Sequence, residues 1–273
     1  MIHQFPTLAV NTVTYLPFSL DEALQGISAA GFNSVEIAAI PGVCEHISLE
    51  MDKGDLSDLR MKLATFGLRL CSLSSHSDLT SRQGVDLAKK AIELASGLDV
   101  PIVNTAVGGP SNEDEDESLF LENIPAVADF AQRHHVVLAL EIHGTLTGTG
   151  EKTIKLVRKV RHPHVKINYD TGNGLYYAGT PPYEDLVLTL PELAHVHLKD
   201  KVGGKRIWNF PPPGEGEIDF HRIIKILEDS AYSGPVSLEI EFSDKGWPGL
   251  DEVNAAVAKT RQYLTGILNT INP

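Results

Sequence analysis

From Leu8 onward the chain repeats one phrase eight times, a short apolar run followed by an amphipathic stretch, and no other feature restricts its fold as much. LAVNT (Leu8 to Thr12) reads as a strand. SLDEALQGISAAG reads as the helix after it, with Ser19 as N-cap, Glu22 as its capping-box partner and Gly31 as the stop. SVEIA (Ser34 to Ala38) is the second strand. After the loop PGVCEHIS, a helix from about Asp55 carries Leu56, Leu59, Leu63 and Phe66 at helical spacing and ends on Gly67. LRLCSLSSH (Leu68 to His76) with the helix around Gly84 to Ser96, and PIVNTAVGG with the helix around Leu119 to Arg133, are the third and fourth units. VVLALEIHG with EKTIKLVRKV, and VKINYDTGN with a short helix near Pro182 to Leu190, are the fifth and sixth. AHVHLKD with DFHRIIKILEDS, and VSLEIEF with a final helix from about Leu250, complete the set.

Strands that alternate with helices at this regularity pair in parallel, and eight such units in 273 residues predict a closed (β/α)8 TIM barrel. No Gly/Ser-rich or Pro-rich linker divides the chain, so residues 1–273 are expected to form a single domain. An open doubly wound sheet is the alternative fold. It would usually carry a Gly-rich phosphate turn after the first strand, and NTVTYLP is not one.

Four consecutive strands end on polar residues. AHVHLKD sends His195, His197 and Lys199 to one face, and the strands ending in Glu141, Asp170 and Glu239 close on carboxylates. In a barrel of this kind Glu141, Asp170, His197 and Glu239 fall at the C-terminal ends of the strands, where active sites form. Three carboxylates and an imidazole are the O/N ligand mix that a divalent cation such as Mn²⁺ or Mg²⁺ accepts. The alternative is that each group is satisfied separately by hydrogen bonds at its own strand end. Two-residue spacing also puts His143 on the side of Glu141, and Glu241 on that of Glu239.

The formal net charge of -13 argues against nucleic acid as a partner and favours a small neutral or carbonyl substrate. Cys44 and Cys71 form no CxxC pair, so neither a disulfide framework nor a thiolate zinc site is expected, and the chain is read as cytoplasmic. MIHQFPTLAV lacks the basic and apolar regions of a secretory signal, and no run of about 18 apolar residues suggests a membrane span. The acidic run Glu113 to Glu117 reads as a solvated loop before a helix, where carboxylates favour the positive end of the dipole. Lys201 to Ile218 is the longest irregular segment and is expected to cover the site as a lid.

The motifs LEIHG, NYDTGN, HVHLKD, PGEGEIDF and SLEIE, in this order and at barrel spacing, resemble the xylose isomerase-like TIM barrel superfamily of sugar phosphate isomerases and epimerases. That superfamily includes D-tagatose 3-epimerase, hydroxypyruvate isomerase, inosose dehydratase and endonuclease IV. The resemblance implies that Glu141, Asp170, His197 and Glu239 bind one divalent metal ion, Mn²⁺ first, with Mg²⁺, Co²⁺ or Zn²⁺ as alternatives. It implies that Glu141 and Glu239 also serve as catalytic acid and base, that the substrate is a small carbohydrate, and that a homodimer is possible. The ketose 3-epimerases of the superfamily carry a His three residues after the metal Asp and a Glu six residues after the first metal Glu. Here Asn173 and Thr147 stand there.

The function expected is a metal-dependent isomerase or epimerase working by enediolate proton transfer on a keto sugar or polyol derivative. Its alternative is a metal-dependent lyase, resembling inosose dehydratase or an enzyme that cleaves 3-keto-glycosides, with His143 as the base. A third reading is a non-catalytic carbohydrate-binding barrel. Glu36, His76, Lys199, Arg206 and Trp208 are the expected substrate contacts. Lys205 with Arg206 could clamp a phosphate, Trp208 with Phe210 could pack on a sugar face, and His46 reads as an ordinary loop residue.

Overall fold

Runs such as VLAL and VSL have both faces apolar or small, which suits strands enclosed between a packed interior and a shell of helices. The computed structural model describes residues 7–109 and 116–271 and places eight such runs in one closed parallel sheet. They are β1 (Leu8–Asn11), β2 (Ser34–Ile40), β3 (Arg69–Ser74) and β4 (Ile102–Thr105), then β5 (Val137–Glu141), β6 (Val165–Asp170), β7 (Leu193–Leu198) and β8 (Val236–Leu238). Each strand pairs with its sequence neighbours, and β1 closes the ring by pairing with both β8 and β2. The open sheet is thereby excluded.

The helices between them are α1 (Leu20–Ala29), α2 (Lys53–Thr65), α3 (Arg82–Gly97), α4 (Glu117–Arg133), α5 (Gly150–Val160), α6 (Asn173–Ala178), α7 (Pro182–Thr189), α8 (Phe220–Asp229) and α9 (Leu250–Ile271). Ser19 and Glu22 form the expected capping box on α1. Helix α2 starts earlier than its apolar spacing suggests, because Asp52 is the N-cap and Asp55 is its reciprocal partner. Asp116 caps α4 by accepting from the backbone N–H groups of Ser118 and Leu119, while Glu113 to Glu115 of the acidic run lie outside the described residues. No helix among the described residues is long and apolar enough to cross a membrane.

Two departures from the sequence expectation shape the C-terminal mouth. After β6 the chain forms the short helix α6, which apolar spacing does not reveal. The expected lid, Lys201 to Ile218, is partly regular: Asn209–Phe210 pairs antiparallel with Phe242–Ser243, tying the loop after β7 to the loop after β8. Phe242 takes a left-handed φ of 56°, rare for an aromatic residue, where the chain leaves β8 for this ribbon.

Candidate metal centre

Because side chains alternate along a strand, the residues that end β5, β6, β7 and β8 on their inward face converge on one point above the barrel core. Glu141, Asp170, His197 and Glu239 each offer a ligand atom there, and these atoms all lie within 4.8 Å of one another. All four residues are buried. Nδ1 is the His197 atom that faces the carboxylates, 3.2 Å from Glu239 Oε2, 3.5 Å from Glu141 Oε2 and 3.9 Å from Asp170 Oδ2.

Each carboxylate is held from behind. Asp170 Oδ1 accepts from the backbone N–H groups of Gly172 and Asn173, both at 2.8 Å. Glu141 Oε1 accepts from Asn173 Nδ2 at 3.0 Å, and its Oε2 lies 3.0 Å from His76 Nε2. Glu239 Oε1 accepts from Asn11 Nδ2 at 3.1 Å. The remaining oxygens, Asp170 Oδ2 and Glu239 Oε2, are buried and receive no well-directed hydrogen bond, although the Lys199 ammonium lies 3.2 and 2.9 Å away. Buried carboxylate oxygens left in this state, beside an imidazole nitrogen, fit a divalent cation.

The charges are strongly coupled. Burial, opposed by Lys199 and reinforced by Glu141 and Glu239, pushes the Asp170 carboxyl up to about 7. Burial would also raise Glu239, but Lys199 and His197 outweigh it and hold that carboxyl well below its usual range. Glu141 is lowered in the same way, against burial, by His76 and His197. Against the burial penalty on its charged form, His197 is held protonated well above the usual histidine range by Glu36, Glu239 and Glu141.

Beneath this cluster lies a second polar layer. Glu36, fully buried on β2, stands 3.0 Å from His197 Nε2 through Oε2 and accepts from Asn104 through Oε1. Burial raises its carboxyl, but His197, His195 and Asn104 prevail and hold it at about 2. His195 is pushed down to about 4, chiefly by burial, and its contacts fit a neutral ring. Its Nδ1 faces Asn168 Oδ1 at 3.0 Å, and its Nε2 faces the Ser72 and Ser237 hydroxyls at 3.0 and 3.3 Å. Glu36, His195 and His197 form a second group of close ligand atoms, but its contacts read as support for His197 rather than as an open cation site.

Above the cluster a cleft of about 200 Å³ opens to solvent. Of the residues expected to touch substrate, His76, Lys199 and Trp208 line it, as does His143, the base of the alternative lyase reading. Glu36 does not, being sealed beneath His197; position on a strand did not reveal which layer of the barrel it occupies. Arg206 does not line it either. Its guanidinium lies 5.5 and 5.1 Å from the Tyr176 and Tyr177 ring centres. His46 turns away and its Nε2 meets the Phe18 carbonyl at 3.0 Å.

His143 Nε2 is 2.7 Å from the Tyr177 hydroxyl, and burial, with His76 and Lys199 nearby, pushes its imidazole down to about 3. Lys199 bridges Asp170, Glu239 and Glu241, at 3.2, 2.9 and 2.9 Å. Sequence reasoning missed Asn11, Asn168 and the aromatic wall of Tyr176 and Tyr177. Asn168 was accessible, since it precedes Asp170 by two residues and shares its face. Tyr176 and Tyr177 sit on a helix of six residues, too short for periodicity to register.

A family model described as xylose isomerase-like TIM barrel matches residues 24–264 of the chain. L-ribulose-5-phosphate 3-epimerase UlaE of Salmonella paratyphi B is 26% identical over 258 residues, spanning 89% of this chain and 88% of the relative. Among solved structures, a xylose isomerase domain protein from Planctomyces limnophilus superposes with a TM-score of 0.80 at 16% identity, covering 98% of this chain and 99% of the other. D-psicose 3-epimerase with D-tagatose from Clostridium cellulolyticum H10 gives 0.77 at 16% identity, covering 96% and 99%.

Proposed function

Because this chain belongs to the xylose isomerase-like TIM barrel family, we propose that it is an enzyme that epimerises or isomerises a small keto sugar or keto polyol with the help of one divalent cation. The observation that carries this reading is the convergence of Glu141, Asp170, His197 and Glu239 within 4.8 Å at the mouth of the barrel. Those four residues would hold the cation, Mn²⁺ first among the candidates, and when bound it would supply polarisation of a carbonyl oxygen and acidification of the neighbouring C–H bond.

The chain's own residues do the rest. Glu141 and Glu239 approach the cleft from strands β5 and β8, so that one carboxylate removes a proton from the carbon next to the carbonyl and the other returns one. Asn173 and Asn11 fix their orientations by donating to Glu141 Oε1 and Glu239 Oε1. The Lys199 ammonium, 2.9 Å from Glu239, keeps that carboxylate ionised and ready to accept. His143 and Tyr177 close one side of the cleft and can hold a substrate hydroxyl.

The test is proton NMR in D₂O on Mn²⁺-loaded protein with a panel of ketoses, inososes and 3-keto-glycosides, with Glu239→Gln as control. Deuterium entering a ketose, with interconversion to its epimer or isomer and loss of exchange in the variant, supports the reading. Loss of water or of an aglycone would assign the protein to the lyases, with His143 as the base. Absence of exchange in protein shown to hold metal would count against enolisation of these substrates.

A further inference from the structure

We propose that the substrate of this cleft is an uncharged keto sugar or keto polyol whose far end rests against hydrocarbon, not a phosphate ester; this rests on the enolisation reading above and narrows it. The cleft is graded from floor to rim. Its floor is acidic, with Glu141 and Glu239 buried and Glu241 beside them. Its rim is apolar: Val43 is 45% and Trp208 36% exposed, and Val13, Leu16 and Ile40 continue the wall inward. A substrate with its carbonyl at the floor therefore presents its opposite end to Val43 and Trp208.

A phosphate at that end would need cations or free backbone N–H groups. Among the described residues lining the cleft, both basic side chains that could be charged are committed. Lys199 is bridged to Asp170, Glu239 and Glu241, and His76 faces Glu141 Oε2 at 3.0 Å. Two further basic side chains close to the cleft lie outside its lining. Lys201 Nζ donates to the carbonyls of Val202 and Gly203 at 2.6 and 3.0 Å, and the Arg206 guanidinium lies against the Tyr176 and Tyr177 rings. The backbone N–H groups of Gly172 and Asn173 already serve Asp170 Oδ1. A phosphate here would lose water without gaining an uncommitted cation from the lining, facing carboxylates of its own sign. A hydroxymethyl or methyl group loses little and covers apolar surface.

The experiment is calorimetric titration of the Mn²⁺-loaded full chain with three sets of probes: D-fructose and its 6-phosphate, L-ribulose and its 5-phosphate, and 6-deoxy-D-fructose. Each free ketose is expected to bind at least about tenfold more tightly than its ester, with the deoxy compound equal to its parent or tighter. Val43→Arg, which plants a cation on the rim, should raise ester affinity at least about fivefold. An ester that binds as tightly as its parent overturns the proposal, and so does absence of binding by every probe. The expected preference without any deuterium incorporation would remove the enolisation reading and leave the substrate class standing. Incorporation confined to the esters would do the reverse.

Discussion

Glu36 and His197 face each other at 3.0 Å, and through this pair a residue outside the candidate metal ligands governs one of them. With Nε2 directed at Glu36, the ring presents Nδ1 to Glu141, Asp170 and Glu239. A carboxylate behind a ligating imidazole orients it and raises its basicity, and loss of such a partner commonly costs 10–100-fold in metal affinity, by an order-of-magnitude expectation. Glu36→Gln should therefore weaken Mn²⁺ binding by roughly that factor, measured by calorimetry at about pH 8, where protons compete less than at neutrality. An unchanged affinity in folded protein would deny Glu36 this role. Binding should also depend on pH in a definite direction. Asp170 is half-protonated near 7, and His197 keeps its proton well above the usual histidine range, so a cation must displace protons from both. Affinity falls as pH falls, and on the order of one to two protons leave per metal near neutrality. Titrations in buffers of different ionisation enthalpy read that number, and heats independent of the buffer would contradict it.

At the scale of elements, the segment after β7 is organised by one carboxylate. Asp200 accepts from the backbone N–H groups of Lys201 at 2.8 Å, Gly214 at 2.9 Å, Gly216 at 2.8 Å and Ile218 at 3.1 Å, gathering both ends of the loop. Gly216 is required beside it, since a Cβ there would lie 2.2 Å from Asp200 Oδ1. The ribbon of Asn209–Phe210 with Phe242–Ser243 then sets Phe210 under Lys199 and leaves Trp208 on the rim. Asp200→Ala should destabilise the protein by about 2–4 kcal/mol, because hydrogen bonds to a charged group are strong and the freed N–H groups are only partly recovered by water. Denaturant unfolding measures the loss. Hydrogen exchange should quicken at Gly214, Gly216 and Ile218 before it does in β7, and a uniform change across the barrel would contradict this organisation.

For the whole molecule, the cleft is a concentration of like charge enclosed by a packed barrel, with Lys199 as its internal counter-ion. Against burial, Asp170, Glu239 and Glu241 hold the ammonium charged well beyond the usual lysine range. Lys199→Met should destabilise the metal-free protein by about 3–5 kcal/mol, the usual cost of stripping a partner from buried charges. A cation at about one hundred times its dissociation constant adds about 2.7 kcal/mol to the wild type. In the variant it should add more, because it then replaces the positive charge that Lys199 supplied to Asp170, Glu239 and Glu241. Melting temperatures of both proteins with and without Mn²⁺ test this, and an equal shift in the two would refute it.

What the amino-acid order determined by itself was whatever depends on neighbours along the chain. Eight apolar runs alternating with amphipathic helices require parallel pairing, and the alternation along β5 to β8 places Glu141, Asp170, His197 and Glu239 at strand ends on one face. The capping box of Ser19 and Glu22 was legible for the same reason, being complete within four residues. Tertiary structure alone decided depth and distance. Glu36 and His76 both looked like mouth residues, yet the stagger of strands around the barrel seals Glu36 beneath His197 and leaves His76 in the cleft wall. Arg206 was read as a substrate contact from its loop alone, and only the loop's path shows that its guanidinium lies against Tyr176 and Tyr177. Spacing along a strand tells which face a side chain takes, whereas the layer it reaches and the partner it meets depend on residues as remote in sequence as Asn11 and Glu239.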